Sequence, residues 1–93
     1  MKYRSRADIT NMILESVRAG ATKTKIMYQA YLSYSQVAEY LQFLQQNGLI
    51  RHDEESQVYR ITDKGFRFLN ISNELNDMIS LSNSKYSLNK WQE

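Results

Sequence analysis

The sequence predicts a mainly helical α+β domain, with one small β-hairpin placed before a long closing helix. Two observations carry that prediction. Apolar residues recur at helical spacing through most of the chain, each run bounded by its own cap and stop residues. The period changes to strand-like alternation once, between Leu49 and Ile61, on either side of the polar turn Asp53-Glu54-Glu55-Ser56. A third observation sets the scale: 93 residues, 42% hydrophobic and 24% charged, make a single globular domain.

Composition excludes several classes. No apolar run approaches the ~20 residues that span a bilayer, and the basic start Met1-Lys2-Tyr3-Arg4-Ser5-Arg6 leads into an amphipathic segment, unlike a signal peptide. Cysteine is absent, which removes disulfides and thiolate zinc sites and fits a cytoplasmic protein. The net charge is only +2, so the placement of the charges matters more than their sum.

The first helix is capped by Ser5 with Asp8 three residues on, carries Ile9, Met12, Ile13 and Val17 inward and Asn11, Glu15 and Arg18 outward, and is expected to end near Arg18 with Gly20 as its stop. Lys2, Arg4 and Arg6 form a basic arm, residues 1–6, ahead of it. Gly20-Ala21-Thr22 is a short extended connector, and Thr22 caps a second helix through Ala30. Ser33 and Gln36 form a capping box at the start of a third helix, which Gly48 ends. Two helices joined by so short a turn are a helix-turn-helix. Val37, Leu41 and Leu44, with Tyr40 beside them, make the buried face of the third helix.

Its other face carries Ser35, Gln36, Glu39, Gln42, Gln45 and Gln46, mostly uncharged hydrogen-bonding groups of the kind that read base edges, although an ordinary solvated face has the same polarity. Thr22, Lys23, Thr24 and Lys25 open the second helix, where a phosphate is favoured. In the hairpin, Tyr59 and Ile61 are expected to face the core, with Val58 and Arg60 facing away. Thr62 caps the last helix, from about Asp63 to Ser80, with Gly65 allowing a neighbour to approach. Phe66 and Leu69 are assigned to the core. Phe68, Ile71, Leu75 and Met78 then follow at spacings of three, four and three, with Ile79 alongside, as two short heptads with no domain surface left to cover them. They are the expected dimer contact. Residues 1–65 are accordingly read as the binding domain, 63–80 as the dimerisation helix and 81–93 as a flexible tail or a strap across the partner subunit.

Helix, short strand, helix, turn, helix, two-stranded wing and closing helix is the winged helix-turn-helix order. On Tyr3-Arg4-Ser5-Arg6, the run from Gly20 to Tyr28 with its Thr-Lys-Thr-Lys-Ile-Met-Tyr core, Leu32-Ser33-Tyr34, Tyr40-Leu41, Asn47-Gly48-Leu49 and Tyr59 to Gly65, the chain resembles the small archaeal winged-helix DNA-binding proteins with a C-terminal dimerisation helix. That family includes transcriptional regulators and chromatin-associated, nucleoid proteins. The resemblance covers residues 3 to 80. It implies a homodimer bound to double-stranded DNA, with Ser35, Gln36 and Glu39 facing bases, Tyr34 and Gln42 at the margins, and Arg4, Arg6, Thr22, Lys23 and Lys25 on phosphates. The acidic wing tip departs from wings that carry Arg or Lys and leaves only Arg51 and Arg60 to reach the backbone.

An enzyme is disfavoured: the single histidine, His52, stands beside Asp53 and Glu54 in the hairpin, and no nucleophile, phosphate loop, metal-ligand set or cofactor motif is present. No small-molecule effector pocket can be read from the sequence. The rival reading is a winged-helix module that presents its third helix or its C-terminal stripe to a protein; the acidic wing and low net charge favour it, the basic arm and the Thr/Lys run favour DNA.

Overall fold

The computed structural model describes residues 4–79. Its order is α1 (Arg6–Ser16), α2 (Lys23–Gln29), α3 (Tyr34–Gln46), β1 (Ile50–Asp53), β2 (Val58–Ile61) and α4 (Asp63–Ile79), which is the α+β arrangement expected from the sequence. The caps expected from the sequence are realised atom by atom: Ser5 Oγ accepts from the Asp8 N–H and the Asp8 carboxylate accepts from the Ser5 N–H, each at 3.0 Å, while Thr22 Oγ1 accepts from the Lys25 N–H at 3.2 Å.

The ends of α2 and α3 share one geometry. After α3 the Leu49 N–H reaches Leu44 O at 2.9 Å and the Gly48 N–H reaches Gln45 O at 3.0 Å, with Gly48 at φ +73°. After α2 the Leu32 N–H reaches Met27 O at 3.0 Å and the Tyr31 N–H reaches Tyr28 O at 3.3 Å, but the left-handed residue is Tyr31, at φ +55°. Both are Schellman ends. A side chain at positive φ costs backbone energy, and Arg4 offsets it: its guanidinium donates to Ala30 O and, at 2.8 Å, to Tyr31 O. A cation on the last carbonyls of a helix also suits the helix dipole.

α1 stops sooner than its apolar period indicates, at Ser16, because Val17 is drawn wholly into the core as the C-cap residue and its carbonyl accepts from the Ile61 N–H at 3.2 Å. The strands pair antiparallel, with Ile50 opposite Ile61 and His52 opposite Tyr59. Ala21 exchanges two backbone hydrogen bonds with Tyr59, at 3.0 and 2.8 Å, and so ties the connector ahead of α2 to the hairpin. Alternation puts His52 and Tyr59 on one face, with ring centroids 4.4 Å apart, and Arg51, Asp53, Val58 and Arg60 on the other. The turn lies one residue later than expected, because Gln57 takes the positive φ that closes it.

Ile13, Leu14, Val17, Ile26, Val37, Leu44 and Leu69 are the largest fully buried side chains, so α1, α2, α3 and α4 all contribute to the core. The chain enters α4 through Thr62, whose hydroxyl donates to Gly48 O at 2.6 Å and accepts from the Gly65 N–H at 3.0 Å. Gly65 is obligatory at that crossing: a Cβ there would lie 2.2 Å from Leu49 O. Three assignments change. Phe66 is 38% exposed, with the Arg18 guanidinium 5.5 Å from its ring, because the inward face of α4 is set by Gly65 and Leu69. Phe68, expected at a dimer seam, is half-buried and packs on the domain's own core. Asn11, expected in water, is half-buried, and its Oδ1 is sealed without a partner among the described residues.

Candidate nucleic-acid interface

The outward face of α3 is a ladder of exposed polar residues, Ser35, Glu39, Gln42 and Gln46, at spacings of four, three and four opposite Val37, Leu41 and Leu44. Gln46 belongs to it on the same spacing, a signal present in the sequence that the site assignment had not used. Gln36 differs from the others. Its Oε1 accepts from the Ser33 N–H at 2.9 Å, closing the capping box, so its amide NH2 and one remaining lone pair are left to meet a base. Gln45 is turned back likewise, donating to Leu41 O at 3.2 Å.

Cations stand on both flanks of the ladder. On one side the Arg6 guanidinium lies 4.9 Å from the Phe43 ring centroid and 5.6 Å from that of Tyr40. On the other the Lys23 ammonium lies 4.1 Å from the Tyr34 ring, which joins the start of α2 to the start of α3. Lys25 is exposed, but two positions from Lys23 it points to a different side of α2. Thr22 Oγ1 accepts in its cap, which leaves the hydroxyl hydrogen to donate.

Arg4 is not part of this surface. Besides capping α2, it approaches Met12 Sδ at 3.2 Å, so its guanidinium is folded inward against α1 and α2 instead of extending as a free arm. Lys2 falls outside the described residues, as does the tail 81–93. The wing offers little positive charge: Arg60 Nε lies 3.9 Å from Asp53 Oδ2, and its guanidinium fills the space beside Gly20. Arg51 is exposed on the same outer face. The Ser56 hydroxyl, with the Glu55 and Ser56 backbone, hydrogen-bonds to the Asp53 carboxyl and holds it below the usual carboxylate range, so the wing tip stays anionic.

A helix-turn-helix whose third helix turns a polar face away from the core, followed by a hairpin and a closing helix, is the winged helix-turn-helix arrangement, and the sequence profile described as winged helix-turn-helix matches residues 3–80. The chain belongs to the winged helix-turn-helix family. A comparison with curated proteins gives no match. Winged helix-turn-helix domains are typically non-enzymatic DNA-binding domains of regulator type. Among the described residues of this winged helix no helix is long and apolar enough to cross a membrane, and no three His, Cys, Asp or Glu side chains are grouped to hold a metal ion.

The winged helix also displays a surface of opposite character. Ile71, Leu75, Met78 and Ile79 lie exposed along the second half of α4, Leu75 at 56% and Met78 at 79%. No described part of the domain folds over them.

Proposed function

We propose that this winged helix acts as a homodimer that binds double-stranded DNA selectively and regulates transcription on the chromosome. The observation that carries the proposal is the α3 ladder: Ser35, Glu39, Gln42 and Gln46 project together from a rigid helix between two flanking cations, Arg6 and Lys23. A helix in the major groove presents such a row to base edges while the flanks meet phosphates. Glu39 accepts from a cytosine amino group and repels misplaced phosphate, which favours selection over non-specific affinity. Tyr34 and Gln36 reach the groove at the N-terminal end of α3, with Thr22 on the backbone beside it and Lys25 meeting phosphates from another side of α2. The acidic wing tip keeps the hairpin out of the groove, leaving Arg51 and Arg60 as strand-borne contacts of lesser weight, and Arg4 serves the fold.

The dimer seam is Ile71, Leu75, Met78 and Ile79, with Phe68 withdrawn into the domain. An apolar stripe this exposed on so small a protein calls for a partner surface, and a second copy supplies one of matching character.

Fluorescence anisotropy on a mixed-sequence duplex of about 30 base pairs, titrated with salt, tests the first half. A log–log slope of several phosphates at roughly 0.9 per contact is the expected result. The acidic wing tip and the bare α4 stripe favour a second reading, a protein-interaction module. Failure to bind duplexes at low salt, together with retention of a protein partner by the α4 stripe, would establish that reading instead.

A further inference from the structure

A groove of about 360 Å³ opens at the junction of α1, α3 and α4, between Arg6 and Thr10 of α1, Phe43 of α3, Leu49, and Lys64 and Phe68 of α4. That volume lies within the range of small-molecule sites. Its walls are apolar, two aromatic rings and a leucine, and the charges at its rim are both positive. Neither cation is within ion-pair distance of a carboxylate among the described residues, where the ion pairs are Glu15 with Arg18 and Asp53 with Arg60. Two other hollows of the described surface include Glu15, whereas this groove is lined by no carboxylate.

The polar groups are unspent. The Arg6 guanidinium sits over the Phe43 ring, 4.9 Å from its centroid, and a planar guanidinium can meet a carboxylate in two-point contact. Lys64 gives one hydrogen bond to Asn47 O, at 2.7 Å, and keeps two donors. Thr10 is 5% exposed and lines the groove.

We propose that this groove binds a small amphipathic anion, an aryl or alkyl carboxylate, with the carboxylate between Arg6 and Lys64, one oxygen within reach of Thr10, and the apolar body between Phe43, Leu49 and Phe68. The site shares Arg6 with the proposed DNA face, but its test uses no DNA and its outcome does not turn on whether α3 reads bases.

Amide NMR shifts of the full-length protein are followed on titration with phenylacetate and, in parallel, with the neutral phenethyl alcohol. The expected result is saturable shifts confined to the first turns of α1, to Asn47–Leu49 and to Lys64–Phe68, with the alcohol weaker by roughly tenfold. Lys64→Gln, an exposed change that leaves the fold intact, weakens phenylacetate by roughly fivefold, and Thr10→Val, which keeps the side-chain shape, weakens it as well. Absence of saturable shifts up to about 10 mM overturns the site. So do equal binding of the alcohol and shifts spread along the α4 stripe, since the first removes the anion requirement and the second shows non-specific adsorption. Shifts blocked because a second copy's α4 or the 81–93 segment occupies the groove, seen as intermolecular or tail-to-groove contacts in the unliganded protein, also overturn it.

Discussion

α3 and α4 announce themselves in the sequence by the same signal, apolar residues at helical spacing opposite polar ones, yet they meet opposite fates. Val37, Leu41 and Leu44 of α3 are buried in their own domain and the helix offers water its polar side. α4 buries Gly65 and Leu69 near its start, then runs on with Ile71, Leu75, Met78 and Ile79 uncovered. An amphipathic period states that a helix has an apolar face; it does not state what covers it. In a small domain the core is satisfied by a limited number of side chains, and the remainder of α4 is surplus to it.

The sharpest way to break this comparison is to truncate the matching leucines. Leu44→Ala should cost about 2–5 kcal/mol in urea denaturation at every protein concentration, because it empties a closed core, whereas Leu75→Ala should cost the monomer under about 0.5 kcal/mol and act through the dimer alone. A large, concentration-independent loss from Leu75→Ala would mean that the stripe is intramolecular. Leu75→Glu carries the contrast further: light scattering should give the monomer mass while circular dichroism stays helical, and an unchanged dimer mass would move the interface elsewhere.

On the polar helix the expected effect is smaller and electrostatic. Replacing Lys23 and Lys25 together by alanine should weaken all duplexes alike and lower the salt slope by about two, while leaving the dimer intact. Gln36→Ala is a less clean probe of base reading than Gln42→Ala, because it also opens the capping box at Ser33, at roughly 0.5–2 kcal/mol of stability. Selective loss on the preferred site with Gln42→Ala and no such loss with Lys23→Ala would separate reading from docking.

Arg4→Ala tests the role that the fold gives this residue. It should cost about 1–2 kcal/mol by removing charged hydrogen bonds to the end of α2, and Tyr31→Gly should recover part of that by relieving the positive φ; unchanged stability would return Arg4 to the arm. The smallest effect is at the wing. Asp53 titrates below its ordinary value in the folded state, chiefly through Ser56, so its contribution is complete above about pH 4 and is lost as the pH falls below that through the folded value. Asp53→Asn should therefore flatten the acid limb of the stability profile in that window and nowhere else.

Much was legible in the residues alone. Caps, stops and periods are local: Ser5 with Asp8, Thr22, Ser33 with Gln36 and Gly48 lie within a few residues of the groups they serve, so the helices and the hairpin follow from spacing. The polar ladder of α3 follows in the same way, down to Gln46. Where Arg4 goes is not local: its acceptors, Ala30 and Tyr31, lie 26 and 27 residues away. Nor is the exchange of Phe66 and Phe68, which depends on Gly65 pressing against Leu49 and so fixing which side of α4 turns inward. The groove of Arg6, Thr10, Phe43 and Lys64 has no sequence signature, since its members come from three helices and are collected only by packing. By itself the sequence determined which segments are helix or strand and which face of each is apolar, because those are set by short-range hydrogen bonds and side-chain period. Only the tertiary structure decided which apolar faces are used up inside the domain and which cations remain free at its surface, because both depend on contacts between residues far apart in the chain.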